Sequence, residues 1–191
     1  MFKSSRLANL MLGIACIAMP AVASAQAAAG ASTLKVGDMA PDFSITTVTS
    51  NGVTPAPFRL SEHRGETVVL AFFPKARTAG CTVQMESYRD RYQELFRNGE
   101  KVTLLAISVD PDTALISWAQ DSRFQFRFGT DMNRAVGKIY AASNGEGFHK
   151  RFLYVIDPQG RISWLATPFN QMSADAYTDL GKAVTDAAHG N

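Results

Sequence analysis

Thr67-Val-Val-Leu-Ala-Phe-Phe73-Pro-Lys-Ala-Arg-Thr78-Ala-Gly-Cys81 is the stretch that decides the reading of this chain. Its first half, TVVLAFF, is an apolar run rich in β-branched and aromatic residues, the pattern of a buried strand. A helical pattern follows from Thr82 to about Arg97, with Tyr88, Tyr92, Leu95 and Phe96 on one face. Cys81 therefore stands where a strand hands over to a helix N-terminus. Backbone N–H groups there lack intrahelical partners, and the helix dipole favours negative charge, so a thiol is readily made a thiolate. Lys75 and Arg77 flank the same loop and add positive potential. The placement equally suits an inert structural cysteine, since free cysteine is among the most buried residue types.

Outward from this junction the pattern alternates. Upstream, Asp42 to Val48 reads as an early strand with Phe43, Ile45 and Val48 in imperfect alternation, and Asn51-Gly52 as a turn. Residues 53–66 read as a loop with a short helical turn near Ser61 to Arg64. Downstream, Asn98-Gly99 ends the helix and Lys101 to Val109 is a second buried strand. Asp110-Pro111 fits an N-cap and first helical residue, opening a helix to about Asp121. Phe124 to Phe128 is a short strand candidate, followed by a helix near Asn133 to Ala141. Phe152–Ile156 and Arg161–Ala166, joined by Asp157-Pro-Gln-Gly160, read as a hairpin. Ser173 caps a last helix to about Ala188. This order predicts an α/β sandwich whose mixed sheet has a parallel centre and helices on both faces.

The N-terminus reads as an export signal. Lys3 and Arg6 form a positive n-region, Leu7 to Val22 an apolar h-region, and Ala23-Ser24-Ala25 a small-residue cleavage site. Cleavage after Ala25 would make Gln26 the first mature residue and the location periplasmic or secreted. Pro20, the small residues after it and the lack of a charged stop-transfer flank argue against an uncleaved anchor. A lipoprotein anchored at Cys16 is the other alternative, with Gly13 where a lipobox wants Leu. Residues 26–33 read as a flexible linker, and 34–191 as one folded domain. Removing Lys3 and Arg6 leaves 17 of the 19 basic residues against 17 acidic ones. The balance points to no nucleic acid and no anionic membrane as partner. Cleavage also removes Cys16, leaving Cys81 with no partner for an internal disulfide.

A cysteine at a helix start serves several chemistries. A thioredoxin-type dithiol cycle needs Cys-x-x-Cys, and position 78 is Thr. A cysteine hydrolase needs a histidine base; His63, His149 and His189 lie in no hydrolase motif and read as surface or loop residues. One cysteine and three scattered histidines lack the spacing of a metal site. Peroxide reduction needs a single thiolate, donors for the O–O group and a cation beside the departing oxygen, and it leaves a sulfenic acid.

The chain resembles the peroxiredoxin family here. Pro74-x-x-x-Thr78-x-x-Cys81 matches the family's active-site signature. Phe73 to Gln84 looks most like the bacterioferritin comigratory protein branch. Gly37-Asp-Met-Ala-Pro-Asp-Phe43 resembles the family's opening, and Ser108-Val-Asp110 the strand end after the catalytic helix. Arg151-Phe-Leu-Tyr-Val-Ile-Asp157 resembles the segment carrying its second active-site arginine. The resemblance runs from about Val36 to Ile162 and implies a thioredoxin-like fold.

It also implies roles. Cys81 would be the peroxidatic cysteine and Thr78 would hydrogen-bond the peroxide. Arg151 would stabilise the thiolate and the departing oxygen, and Pro74 would shape and shield the pocket. Gln84, where relatives have Glu or Gln, would orient Arg151. The same residues have plainer readings: a strand end for Pro74, a helix cap for Thr78, a solvated charge for Arg151. Two departures matter. The family's usual Pro after the Thr is Ala79, which leaves the loop less rigid. The resolving cysteine some members carry five residues on is Glu86. The expectation is a one-cysteine, thiol-dependent peroxidase acting on hydrogen peroxide or small organic hydroperoxides. It needs no metal or organic cofactor, and an external thiol or a thioredoxin- or glutaredoxin-like protein reduces it. The alternative is an exported redox sensor or binding protein with little turnover.

Overall fold

The computed structural model describes residues 33–145 and 147–190; the expected signal, Cys16 and nearly all of the linker lie outside them. The two apolar runs become the middle of the sheet. Strands β1 (Ser44–Ile45), β2 (Thr47–Thr49), β3 (Gly52–Val53) and β4 (Phe58–Arg59) precede β5 (Thr67–Phe72), the fully buried strand of the opening motif. Helices α1 (Ala79–Asp90) and α2 (Tyr92–Phe96) lead to β6 (Val102–Ser108). Then come α3 (Asp112–Ser122), β7 (Arg127–Thr130), α4 (Ala135–Ile139), β8 (Leu153–Ile156), β9 (Ile162–Ala166) and α5 (Ala174–His189). The main sheet has the order β3-β2-β7-β6-β5-β8-β9. β5, β6 and β7 run parallel, and the outer pairs are antiparallel, as the sequence pattern predicts.

Strand periodicity explains the two cores. Val69, Ala71 and Phe73 face one cluster, which also holds Met85 and Tyr88 of α1, Trp118 of α3 and Leu180 of α5. Val68, Leu70 and Phe72 face the other, with Phe43, Phe58, Leu60, Val136 and Tyr140. Both faces of the centre are thus covered, as a parallel sheet requires. With five residues α4 is too short to stand alone. It is held by Val136 in the second core and by Asp131, whose carboxylate accepts from the N–H groups of Val136 at 3.2 Å and Gly137 at 2.7 Å.

Several boundaries differ from the sequence reading. The early strand breaks in two: β1 pairs with β4 in a separate ribbon, and β2 joins the main sheet. Asn51-Gly52 does turn β2 into β3, with Gly52 at φ 110°. The loop 53–66 contains β4 and a 3-10 turn at Leu60–His63. The long helix expected from Thr82 to Arg97 starts earlier, at Ala79, and breaks at Arg91. The strand expected at Phe124–Phe128 lies three residues later. Phe124 and Phe126 are buried, but they pack on each other, with Phe124 edge-on to Trp118 at 5.2 Å, so their apolar alternation reports ring packing and not pairing. The β8–β9 hairpin and the Ser173 cap are as expected; Ser173 Oγ accepts from the Ala176 N–H at 3.4 Å.

Candidate active site

β5 ends at Phe72, and the Phe73 N–H still donates to the Ile107 carbonyl at 3.0 Å. Pro74 cannot donate and the chain leaves the sheet there. The loop that follows is tied at two points. The Ala76 N–H donates to Asp110 Oδ2 at 2.8 Å, and Ser108 Oγ donates to the same oxygen at 2.9 Å. Arg77, at φ 61°, donates to Ser117 Oγ at 3.0 Å and to Asp121 at 2.5 Å. Asp110 is therefore not the N-cap of α3 that the sequence reading made it; Pro111 holds that position. Its carboxylate instead holds the loop in front of Cys81.

Thr78 is the N-cap of α1 by backbone, at φ −77° and ψ 150°, but its hydroxyl does not cap. Thr78 Oγ1 donates to the Lys75 carbonyl at 3.0 Å. Its hydrogen is thus committed, and its lone pairs remain to accept. Ala79 is the first helical residue, the position at which proline is most favoured. The helix forms without it because the loop ties supply the constraint. Cys81 is the third residue of α1, inside the first turn and not before it, and is fully buried.

Arg151 comes from the segment leading into β8, the strand beside β5. Its Nη2 lies 3.4 Å from Cys81 Sγ, and its Nη1 donates to Gln84 Oε1. Gln84 is fully buried, and its Nε2 donates to Tyr88 Oη at 2.8 Å. Burial pushes the Tyr88 phenol well above its ordinary range, so it stays a neutral hydroxyl that accepts from the amide. The structure thus brings Cys81, Arg151 and Gln84 together directly. Thr78 stands one turn before the sulfur and half-buried Pro74 at the head of the loop. No hydrogen bond joins either of them to Cys81 among the described residues.

The histidines are elsewhere. His63 pairs with Glu66 at 2.9 Å and stacks on Phe58. His189 ends α5. His149 lies in the loop between α4 and β8, as expected, but it is not on the surface: it is buried, 3.1 Å from Asp131, with Phe72 edge-on against its ring. Among the described residues none of the three hydrogen-bonds to Cys81.

The family model for AhpC/TSA matches residues 36–165. The chain belongs to the AhpC/TSA family of peroxiredoxins. It is 32% identical over 144 residues to the peroxiredoxin Bcp of Escherichia coli K12, covering 71% of this chain and 87% of that one. It is 29% identical over 142 residues to a putative peroxiredoxin ycf42 of Pyropia yezoensis, covering 71% and 69%. Among solved structures, the peroxidoxin BcpB of Mycobacterium tuberculosis matches with TM-score 0.66 at 27% identity, over 83% of this chain and 99% of that one. Thioredoxin peroxidase I of Plasmodium yoelii, at 20% identity and TM-score 0.70, shares the fold over 81% and 91%. These relatives support the Bcp branch and the thioredoxin-like fold. The peroxiredoxin is a thiol-dependent peroxidase, and Cys81 is the free cysteine among its described residues.

Two supporting residues escaped the sequence reading. Tyr88 read only as a core position, although it lies four residues after Gln84 and so on the same helix face. Asp110 read as a cap. Each gives a prediction. Asp110→Ala orphans the Ala76 N–H, and we expect a loss of about 1–3 kcal/mol in urea unfolding. Peroxide reactivity should fall with it as the loop loosens; unchanged stability and rate would show that the loop holds itself. Tyr88→Phe leaves the Gln84 amide N–H groups buried without that acceptor. We expect a similar cost of about 1–3 kcal/mol and slower oxidation of Cys81, read by stopped-flow fluorescence.

Proposed function

We propose that Cys81 is the peroxidatic cysteine, that Arg151 holds its sulfur as thiolate, and that Gln84 and Tyr88 hold Arg151. The observation that carries this reading is the 3.4 Å approach of Arg151 Nη2 to a fully buried sulfur at a helix start. A guanidinium there favours thiolate over thiol. The thiolate attacks the terminal hydroperoxide oxygen, forming the S–O bond as the O–O bond breaks. The departing alkoxide or hydroxide faces Arg151 and takes a proton from water, restoring the one the thiol released. Thr78 Oγ1 accepts the peroxide O–H, its own hydrogen being committed to Lys75. Pro74 limits water at the head of the loop. Burial of the sulfur favours hydrogen peroxide and small organic hydroperoxides.

One external thiol then condenses with the sulfenic acid, releasing water and leaving a mixed disulfide. A second thiol, free or on a thioredoxin- or glutaredoxin-like protein, releases Cys81. Glu86 at the resolving position supports this one-cysteine cycle. One equivalent of peroxide should add one oxygen by intact mass and leave a species that dimedone traps. Excess peroxide should carry it to sulfinic acid, because no second thiol lies among the described residues to compete. A protein that gains no oxygen under either condition would refute the assignment.

We further propose export, with cleavage after Ala25 and activity in the periplasm or outside the cell. The support is the n-region, h-region and small-residue site of residues 1–25. N-terminal sequencing of the exported protein should begin at Gln26; a lipid-modified chain beginning at Cys16 would overturn it.

A further inference from the structure

The backbone next to Cys81 is approached by a side chain that the mechanism above does not use. A side chain at Gly80 would meet Gln171 Nε2 at 2.9 Å and Arg151 Nη2 at 3.4 Å. The Gln171 carboxamide and the Arg151 guanidinium therefore converge on one spot over the first turn of α1. The same Nη2 is the atom that lies 3.4 Å from the sulfur. Gln171 thus borders the spot beside Gly80 that the sulfur-binding guanidinium also borders, one residue from Cys81.

Its backbone is fixed while its side chain is free. The Phe169 N–H donates to the Arg151 carbonyl at 2.8 Å, and Tyr177 Oη donates to the Gln171 carbonyl at 3.0 Å. Phe169 is buried, and the Ser173 cap of α5 follows directly. The loop Thr167–Met172 is thereby tied to the arginine segment and to α5. The Gln171 carboxamide is half-buried, and among the described residues it makes no hydrogen bond to the protein. A half-buried amide with both donors and its acceptor uncommitted, held beside a catalytic cation, is suited to a polar ligand.

We propose that Gln171 is a specificity-determining residue that favours hydrogen peroxide over hydroperoxides with bulky apolar substituents. The inference rests on the peroxidase reading of Cys81. Two effects act in the same direction. The carboxamide fills space beside Arg151 that an organic substituent would take. It also offers hydrogen bonds that the second O–H of hydrogen peroxide satisfies and an alkyl or aryl group does not. An apolar group placed there leaves the amide desolvated and unpaired, a cost a hydrocarbon wall would not impose. Gly80 belongs to the same device, because any larger residue would push into the amide.

The test compares second-order oxidation rates of Cys81 with hydrogen peroxide and with cumene hydroperoxide, in the parent protein, Gln171→Ala and Gln171→Leu. The ratio of the cumene rate to the hydrogen peroxide rate should rise by at least about fivefold in Gln171→Ala, which removes both bulk and polarity. Gln171→Leu keeps bulk and removes polarity, and the ratio should rise less, through a slower reaction with hydrogen peroxide. The pH dependence of oxidation should stay that of the parent in both variants, because among the described residues no hydrogen bond joins Gln171 to Cys81. A parent protein that reacts with neither peroxide would refute the peroxidase reading itself. A reactive parent whose ratio is unchanged in both variants would overturn the role of Gln171. A common loss toward both peroxides with a displaced pH profile would also overturn it, as the mark of a merely structural residue.

Discussion

Cys81→Ser will consume no peroxide and bind no dimedone. The buried sulfur is the single thiol among the described residues, and the resolving position carries Glu86. Serine keeps the size and the helix start but replaces a readily ionised thiol by an alcohol. An unperturbed thiol is already a few per cent thiolate at pH 7, and activated ones are largely ionised. A serine hydroxyl reaches neither state there. Peroxide loss in the variant should fall to the uncatalysed background. The fold should survive, since the position sits in the first turn of α1 and the change in volume is small. A Cys81→Ser protein that still turned over peroxide would mean that another group carries the chemistry.

Arg151→Met should slow the reaction of Cys81 with peroxide by at least about tenfold, or about 1.4 kcal/mol. The guanidinium donates to Sγ, and in the proposed mechanism it also faces the departing oxygen, where charge develops only as the O–O bond breaks. Loss of one preorganised donor in other enzymes costs about 10²–10³ in rate, which sets the upper range. Sequence alone expects little change in stability from a partly exposed arginine. The structure revises this. Arg151 also donates to Gln84 Oε1, which is fully buried, and orphaning that oxygen costs about 1–3 kcal/mol. Thermal unfolding should therefore fall measurably. Arg151→Lys restores charge without the planar fork that reaches sulfur and amide together, so only part of the rate should return. A variant with Met at 151 that reacts as fast as its parent would make Arg151 a structural residue alone.

The centre of the fold was legible because its signals are strong and local. Two apolar runs, one capped helix and one hairpin with an Asp-Pro-Gln-Gly turn suffice to lay out β5, β6, α5, β8 and β9. The misplaced elements are those whose pattern has a second cause. Phe124, Phe126 and Phe128 alternate as a strand would, yet the first two are buried because their rings stack on each other, with Phe124 edge-on to Trp118. Asp110-Pro111 carries the chemistry of a cap, and a tertiary partner, the Ala76 N–H, takes the carboxylate instead. The short pieces β1 to β4 depend on long-range pairing that no local window contains.

The site divides the same way. Cys81, Thr78 and Pro74 lie in one contiguous motif, and Arg151 in a second, so the pattern could name them. The Gln84–Tyr88 bond runs along α1, while the bonds of Arg151 to Cys81 and Gln84 cross from α1 to the segment leading into β8, and only the fold shows them. His149 illustrates the reverse error. A histidine outside any hydrolase motif reads as a surface or loop residue, yet the loop turns this one inward against Asp131 and Phe72.

The central claim is turnover at a single cysteine, and its most direct test is peroxide consumption per molecule of mature protein with a small thiol reductant in excess. The protein should remove many equivalents of hydrogen peroxide. Consumption should stop when the reductant is exhausted and resume when it is replenished. One slow equivalent, followed by an oxidised protein that thiols do not return to activity, would contradict the account and make the molecule a redox sensor.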